Sequence, residues 1–344
     1  MNNIELSFCI PTYNRAQIVY KLVADILLCS DPAIEVVVLD NGSTDDTLSI
    51  LRAIKDDRLC VYTNGENKGA LFNMVNVLNK GTGKFLVYST DQDHIDYTKI
   101  RGFIAFLLQH ANLAGGFSAF NSESKIDYEI IQQGYQAVSK IAYQGRHPTG
   151  YFFNNEMLKS IKLVDRFSDY DFVDLFPLEF AFAELCVMGE GAVYHKSIFT
   201  PETGAMVVVH KSSTTDGKSK KAFFTPEARL KLAVNYTKHI STLSLTSFEK
   251  SSLILDTFLR ELSAATIGYR SILRNESLCT HYYMICRDIK TIELFGIGLN
   301  FYKQFLIEST TVLGGSFIKP FRFKMLVIFK LTQKIVGRFT RLLK

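Results

Sequence analysis

Ile34-Glu35-Val36-Val37-Val38-Leu39, running into Asp40-Asn41-Gly42-Ser43-Thr44-Asp45-Asp46, decides the fold. An apolar run rich in β-branched residues reads as a strand buried on both faces, which parallel sheets require. The polar residues after it read as a turn opened by Gly42 and then a helix start. Ser43 or Thr44 suits the cap, and Asp45 and Asp46 suit the positive end of the helix dipole. The same pattern recurs on both sides. Upstream, a strand at 6–10 enters the turn Pro11-Thr12-Tyr13-Asn14-Arg15, and an apolar-periodic segment follows to about residue 29. Downstream, a strand near 59–62 leads through Asn64-Gly65-Glu66-Asn67-Lys68-Gly69 to a helix near 71–78. A further strand at 84–89 then ends at Asp91-Gln92-Asp93. Strands alternating with helices through short Gly, Asn and Asp turns predict an α/β fold with a doubly wound, mostly parallel sheet.

In such sheets ligands bind outside the carboxyl ends of the strands, which is where Asp91 and Asp93 fall. Carboxylate oxygens suit Mg²⁺ or Mn²⁺, and such ions commonly take one or two carboxylates plus substrate phosphates. A diphosphate-bearing substrate is one reading of the pair. A solvated turn is the other, and the pair alone does not separate them.

Taken together and in order, Pro11–Arg15, Asp40–Asp45, Asn67-Lys68-Gly69 with Asn73, and Asp91-Gln92-Asp93 resemble the motifs of family 2 glycosyltransferases. Within that family the chain is most similar to the abequosyltransferase-like group that builds bacterial surface polysaccharides. The resemblance covers roughly residues 4–200 and is strongest over 4–96. It implies a GT-A-like fold, of the nucleotide-diphospho-sugar transferase type. One departure is plain: many members read Leu-Asp-x-Asp-Asp at the metal motif, whereas this chain reads Ser89-Thr90-Asp91-Gln92-Asp93-His94 and lacks the third acid.

The resemblance also implies roles. The turn Pro11, Thr12, Tyr13, Asn14, Arg15 would lie along the nucleotide, with Tyr13 near the base. Asp40, with Asn41 and Gly42 beside it, would accept a hydrogen bond from base or ribose, and Asn67, Lys68 and Asn73 would lie close by. Lys68 can also meet phosphate as a point charge. Asp91, with Gln92, would contact the ribose, and Asp93, with Asp91, would hold the Mn²⁺ or Mg²⁺ that bridges the diphosphate. Plainer readings stay open: Asp40 as a turn cap, 43–46 as a helix start, Tyr13 as a packing aromatic.

A hydroxyl attacking an anomeric carbon must lose a proton, and a carboxylate within reach can take it. The family places an acid on a helix after the metal motif, ahead of a Gly and a strand. Anchored on Gly189 and the strand-like 191–194, Glu179 comes nearest, with Asp174 and Asp171 as alternatives; the usual Glu-Asp pair is missing. The segment 147–154 resembles the strand lining the acceptor side, where Thr149 and Gly150 admit close approach of substrate to backbone. His195 and His210 are candidate late metal ligands, without a second ligand at helical or strand spacing.

Bulk properties fit a folded enzyme. The chain has 344 residues, 47% hydrophobic and 21% charged, enough for one large domain and a smaller one. The six cysteines form no C-x-x-C, so they read as free thiols in a reducing compartment. The N-terminus runs straight into the first strand, so no signal peptide is expected, and no apolar run reaches the roughly 18–20 residues of a membrane span. Residues 211–221 are polar with four lysines, a hinge or lid. From Pro226 the apolar period turns helical, around 228–240, 249–273 and 279–308. From Ser309 onward there is no Asp or Glu, against eight Lys and Arg, so the tail carries +8 and residues 1–308 about −3. Ile328, Leu331, Ile335, Phe339 and Leu342 share one helical face, with Lys330, Lys334, Arg338 and Arg341 on another. A basic amphipathic helix suits an anionic membrane surface; packing on the protein or on a sister subunit is the alternative.

The expected organisation is a catalytic domain over 1–210, a basic loop at 211–225, a helical region at 226–308 and a basic amphipathic tail at 309–344. The expected function is metal-assisted, inverting transfer of a sugar from a nucleotide-diphosphate donor to a hydroxyl of a glycan. The glycan is expected to be a lipid-linked intermediate of capsule or O-antigen type, met at the cytoplasmic face of the inner membrane through residues 317–344. Nucleic acid is not expected as a partner, and the oligomeric state is open. Two other classes remain: a catalytically degenerate scaffold at the membrane, and a nucleotidyltransferase. The latter would want a Gly-rich phosphate loop, and 11–15 contains no glycine.

Overall fold

The buried run at 34–39 becomes the second strand of an eight-stranded sheet. The structure is a computed structural model that describes residues 3–110, 112–119, 123–166, 176–200, 224–281 and 284–312. In chain order the strands are β1 (Leu6–Thr12), β2 (Ile34–Asp40), β3 (Leu59–Thr63), β4 (Phe85–Tyr88), β5 (His94–Ile95), β6 (Leu113–Ser118), β7 (Tyr128–Ile131), β8 (Tyr151–Asn154), β9 (Glu190–Tyr194) and β10 (Phe199–Thr200). The large sheet runs β3-β2-β1-β4-β8-β6-β9-β7, and β5 pairs with β10 in a separate antiparallel ribbon. β1, β2, β3 and β4 are mutually parallel, as expected. β6 and β9 share that direction, while β8 and β7 run against it.

Helices cover the strands. In α1 (Ala16–Leu27) the buried residues are Val19, Leu22, Val23 and Ile26, the 3- and 4-residue steps of one helical face. They pack in one core with Phe8, Ile10, Val36 and Val38. α2 (Thr47–Ala53) and α3 (Ala70–Leu78) follow β2 and β3. α4 (Ile100–Gln109) sets Phe103 and Phe106 against Phe152 and Tyr194. α5 (Tyr135–Ile141), α6 (Asn155–Ser160) and α7 (Leu163–Arg166) are short, whereas α8 (Pro177–Met188) is buried on nearly every side. A helix apolar all round belongs in an interior.

Two polar residues inside apparently apolar strands have a shared task. Ser7 donates to Glu35 Oε1 at 2.6 Å, Thr82 N–H donates to the same oxygen, and Gly83 N–H donates to Ser7 Oγ. The pair staples the turn before β4 to β1 and β2, and so satisfies a carboxylate that is only 6% exposed.

The chain divides into two compact units, Met1–Lys218 and Ser219–Lys344. The second is helical: α9 (Pro226–Thr242), α10 (Ser247–Ser263), a π-helical turn at Ala264–Gly268, α11 (Tyr269–Leu273), α12 (Glu276–His281) and α13 (Thr291–Val312). Thr225 caps α9 ahead of Pro226, and Thr246 with Glu249 forms a capping box on α10. The run expected at 279–308 is interrupted. Arg270 and Arg274 pair with Asp288, and Ile289 is buried with Leu273 and Cys279, so 284–290 crosses as an anchored, non-helical segment. α13 continues past 308 to Val312; the loop at 211–223 and the tail from 313 lie outside the described residues. Among the described residues no helix is long and apolar enough to cross a membrane, and all six cysteines are free.

Candidate active site

Parallel pairing puts the ends of the first strands in register: Thr12 sits opposite Asp40, and Asp40 opposite Thr63. β4 ends at Tyr88 beside β1 and runs into Asp91-Gln92-Asp93. The motif turns therefore share one edge of the sheet, the edge where such folds bind ligands.

Asp40 is fully buried, and its carboxylate is already full. Oδ2 accepts from Gly42 N–H, Ser43 N–H and Thr63 Oγ1 at 3.0, 3.0 and 3.1 Å, and Oδ1 accepts from Ser43 Oγ. Two carboxylate oxygens offer about four acceptor sites, so Asp40 shapes the turn. Gly42 is required there: φ is +75°, and a Cβ would meet the Glu66 backbone at 2.6 Å. Beside it four asparagines interlock. Asn41 donates to Asn67, Asn64 donates to Asn41 and to Asn73, and Asn73 donates to the carbonyls of Leu39 and Thr12. Lys68 is exposed, with its ammonium 5.6 Å from the centre of the Phe72 ring. Pro11, Tyr13 and Gln92 are half-buried along the same edge. Asn14, at φ +50°, accepts Thr44 N–H, and its own N–H donates to Ser43, which locks the first turn onto the second.

Asp91 and Asp93 are both nearly buried, yet they face different neighbours. Asp91 Oδ1 pairs with Arg15 Nη1 at 2.6 Å, and Oδ2 accepts from Thr12 at 2.8 Å. Burial raises its pKa from the ordinary 3.8, opposed by Arg15 and Thr12. Asp93 Oδ2 accepts from Thr90 and Thr149 and lies 3.7 Å from His147 Nδ1. Among the described residues nothing donates to Asp93 Oδ1. Thr149 also accepts Thr90 N–H at 2.8 Å, so the turn before β8 is clamped to the end of β4. Gly150, at φ +93°, lets that turn pass within 2.8 Å of the Ser118 carbonyl, measured from where a Cβ would stand.

Glu179, in the first turn of α8, is 1% exposed. Its Oε1 accepts from Tyr151 at 2.7 Å and from Arg146 N–H at 3.2 Å, and its Oε2 accepts from Gln144 N–H at 3.2 Å. Burial raises its pKa, against the pull of Tyr151 and Arg146. Asp171 and Asp174 lie outside the described residues, as does His210. His195, just after β9, donates its N–H to the Asp127 carbonyl and borders a cavity of about 470 Å³ with Lys99 and Thr200.

Sequence reasoning missed His147, Tyr151 and Thr90 as parts of this site. The signal for the first was its place beside Thr149 and Gly150, in a segment read as strand that is turn up to residue 150.

Among the described residues no three His, Cys, Asp or Glu side chains gather to hold a metal by themselves. A divalent ion shared with a diphosphate needs fewer protein ligands. Asp93 fits that demand: it is a hard oxygen donor, held in place through one oxygen and open at the other. Asp91, whose two oxygens serve Arg15 and Thr12, fits it less well.

Residues 7–169 match the family described as Glycosyl transferase family 2. GalNAc(5)-diNAcBac-PP-undecaprenol beta-1,3-glucosyltransferase of Campylobacter jejuni is 31% identical over 145 residues, 40% of this chain and 46% of that protein. UDP-Glc:alpha-D-GlcNAc-diphosphoundecaprenol beta-1,3-glucosyltransferase WfaP of Escherichia coli is 31% identical over 102 residues, 30% of this chain and 41% of that protein. The chain thus spans about half the length of these curated relatives. The crystal structure of S. aureus TarS 1–349 in complex with UDP-GlcNAc superposes with a TM-score of 0.55 at 16% identity, covering 89% of this chain and 82% of that one. That likeness bears on fold alone, and it agrees with the GT-A-like sheet expected from the motifs.

Proposed function

We propose, taking residues 7–169 as the family 2 glycosyltransferase domain they match, that the chain transfers a sugar from a nucleotide-diphosphate donor to a hydroxyl of a glycan acceptor. The observation that carries the reading is the shared strand edge, where the turns after β1, β2 and β3 lie in register beside Asp91 and Asp93.

The chain's own residues divide the work. The Asp40 turn and the asparagine network shape the wall for the nucleoside, with Tyr13, Asn67 and Lys68 open to it. Arg15 and Thr12 fix Asp91 for contact with the ribose. Asp93 would hold Mn²⁺ or Mg²⁺, which supplies neutralisation of charge on the leaving diphosphate. Inversion by a single displacement needs a base opposite the leaving group. Glu179 is enclosed by three donors, and this favours a positioning role for it, leaving Asp171 or Asp174 for the base.

The acceptor is proposed to be lipid-linked, since two relatives by name act on undecaprenol-diphosphate sugars. A surface of the helical unit supports this. Ile292, Phe295 and Leu299, at 3- and 4-residue steps on α13, are 74%, 69% and 43% exposed, while Phe301 and Phe305 are buried. The eight basic residues after 308 follow directly, and each contributes about 1 kcal/mol near an anionic surface. Deleting residues 317–344 should abolish co-sedimentation with vesicles of anionic lipid; unchanged binding would overturn the tail's role.

The donor is tested by thermal denaturation with UDP, GDP, CDP and dTDP, each with and without Mn²⁺. A nucleotide at about 100 times its Kd adds roughly 2.7 kcal/mol to stability, so one of the four should raise Tm, and more so with metal. No shift with any of them overturns the reading.

A further inference from the structure

Of the six cysteines, all within the described residues, Cys286 is the exposed one. The backbone folds it back onto Cys279, seven positions earlier. Met284 N–H donates to the Cys279 carbonyl at 2.8 Å, and Arg287 N–H donates to the Leu273 carbonyl at 3.1 Å. The Cys279 thiol donates to the carbonyls of Ile272 and Leu273, with Sγ at 3.5 and 3.6 Å. Residue 286 is thus held between two backbone anchors, one on Cys279 itself and one on an oxygen that its thiol touches. Ile289, fully buried with Cys279 and Leu273, pins the far end of the segment, and Asp288 pairs with Arg270 and Arg274. The two thiols accordingly meet: burial, and then the Cys286 thiol against it, push Cys279 up to about 11.

We propose that Cys279 and Cys286 are a redox-active dithiol, oxidised by a small-molecule disulfide such as oxidised glutathione, and that the bond formed locks segment 284–290 onto α12 at the root of α13. The exposures divide the work. Cys286 is reached from solvent, as an attacking thiol must be, whereas Cys279 is 1% exposed and is reached by its neighbour. The Cys286 thiolate attacks one sulfur of the small disulfide, so that a mixed disulfide forms and one small thiolate leaves. Cys279 then gives up its proton and attacks Cys286 Sγ, and the second small thiolate leaves. Two electrons pass from the protein to the small disulfide, and the two thiol protons end on the two small thiols released. Excess small thiol reverses each step. The proposal uses no residue of the donor site and does not depend on that reading.

Both cysteines lie in one tryptic peptide, 275–287, which makes the test direct. The full native chain is equilibrated in glutathione buffers, quenched, unfolded, labelled with maleimide and digested without reduction. In oxidising buffer the peptide should carry neither maleimide nor glutathione and should be lighter by two hydrogen atoms. At a fixed ratio of reduced to oxidised glutathione, doubling the total should about halve the ratio of closed to open peptide, because two thiols are released per bond. Cys286→Ser, at an exposed position, should leave Cys279 labelled by maleimide in every buffer, and Cys279→Ala should stop at glutathione on Cys286. Closure should slow hydrogen exchange at the Met284 and Arg287 amides about tenfold. Glutathione on Cys286 with maleimide on Cys279 in the unsubstituted chain overturns the pair, as does equal closure of the chain unfolded in urea. Unchanged exchange after closure overturns the lock.

Discussion

Asp91 and Asp93 are two residues apart, yet they belong to opposite halves of the sheet. Asp91 reaches back to the β1 turn, to Thr12 and Arg15. Asp93 reaches forward to the turn before β8, to Thr149 and His147. In the β1–β4 half the polar groups close on themselves. Asp40 is filled by its own turn, Asp91 by Arg15 and Thr12, and the asparagines by one another. In the β8–α8 half a chain of contacts runs from Glu179 through the 144–149 turn to a carboxylate with one oxygen open. The first half closes its polar groups on one another, and the second leaves one carboxylate oxygen without a donor among the described residues.

The largest effect should come from setting the two aspartates against each other. Asp93→Asn removes the carboxylate oxygen proposed to hold the metal. Lewis-acid stabilisation of several kcal/mol is at stake, so transfer should fall roughly 10³-fold. The asparagine oxygen still accepts from Thr90 and Thr149, and Tm should hardly move. Asp91→Asn leaves Arg15 without its charge partner in a pair whose side chains are 18% and 5% exposed. Loss of such a partner costs on the order of 1–3 kcal/mol, and Tm should fall by several degrees. Assaying both variants for turnover and for melting checks the contrast. Equal Tm in the two would mean that Asp91 is no more structural than Asp93.

The same contrast explains what the sequence made legible. The parallel core announced itself because strand, turn and helix signals fall within about a dozen residues of one another, as in 34–46. The Asp40 turn is equally local, since its donors Gly42 and Ser43 are two and three positions on. Of the two readings of Asp40, nucleotide contact and turn cap, the hydrogen bonds from Gly42, Ser43 and Thr63 bear on the second. The β8–α8 half is built from distant pairs. Thr149 meets Asp93 across 56 positions, Tyr151 meets Glu179 across 28, and Gln144 meets it across 35. No periodicity carries such pairings. His147 was therefore invisible as a site residue, and Glu179 was read from its distance to a glycine and not from what surrounds it.

Glu179 supplies the smallest effect and the finest distinction. Its folded pKa is raised above the ordinary 4.5, chiefly by burial. Its protonated form is therefore favoured by the fold, and its contribution is complete below about pH 4.5 and is lost as pH rises through the higher folded value. Removing the ionisable group should flatten this dependence. Between pH 5 and 8 the Tm of Glu179→Gln should fall less with rising pH than that of the unsubstituted chain. A carboxylate that orders the 144–146 backbone should lower turnover modestly when replaced by Gln, about tenfold, and leave the acid limb of the pH–rate profile in place. A general base should abolish that limb and cost 10²–10⁴-fold. The same profile for Asp171→Asn and Asp174→Asn should show the larger loss in one of them. Loss of the acid limb in Glu179→Gln, with both aspartate variants active, would return the proton transfer to Glu179 and make the buried carboxylate a group that must be uncovered when the acceptor binds.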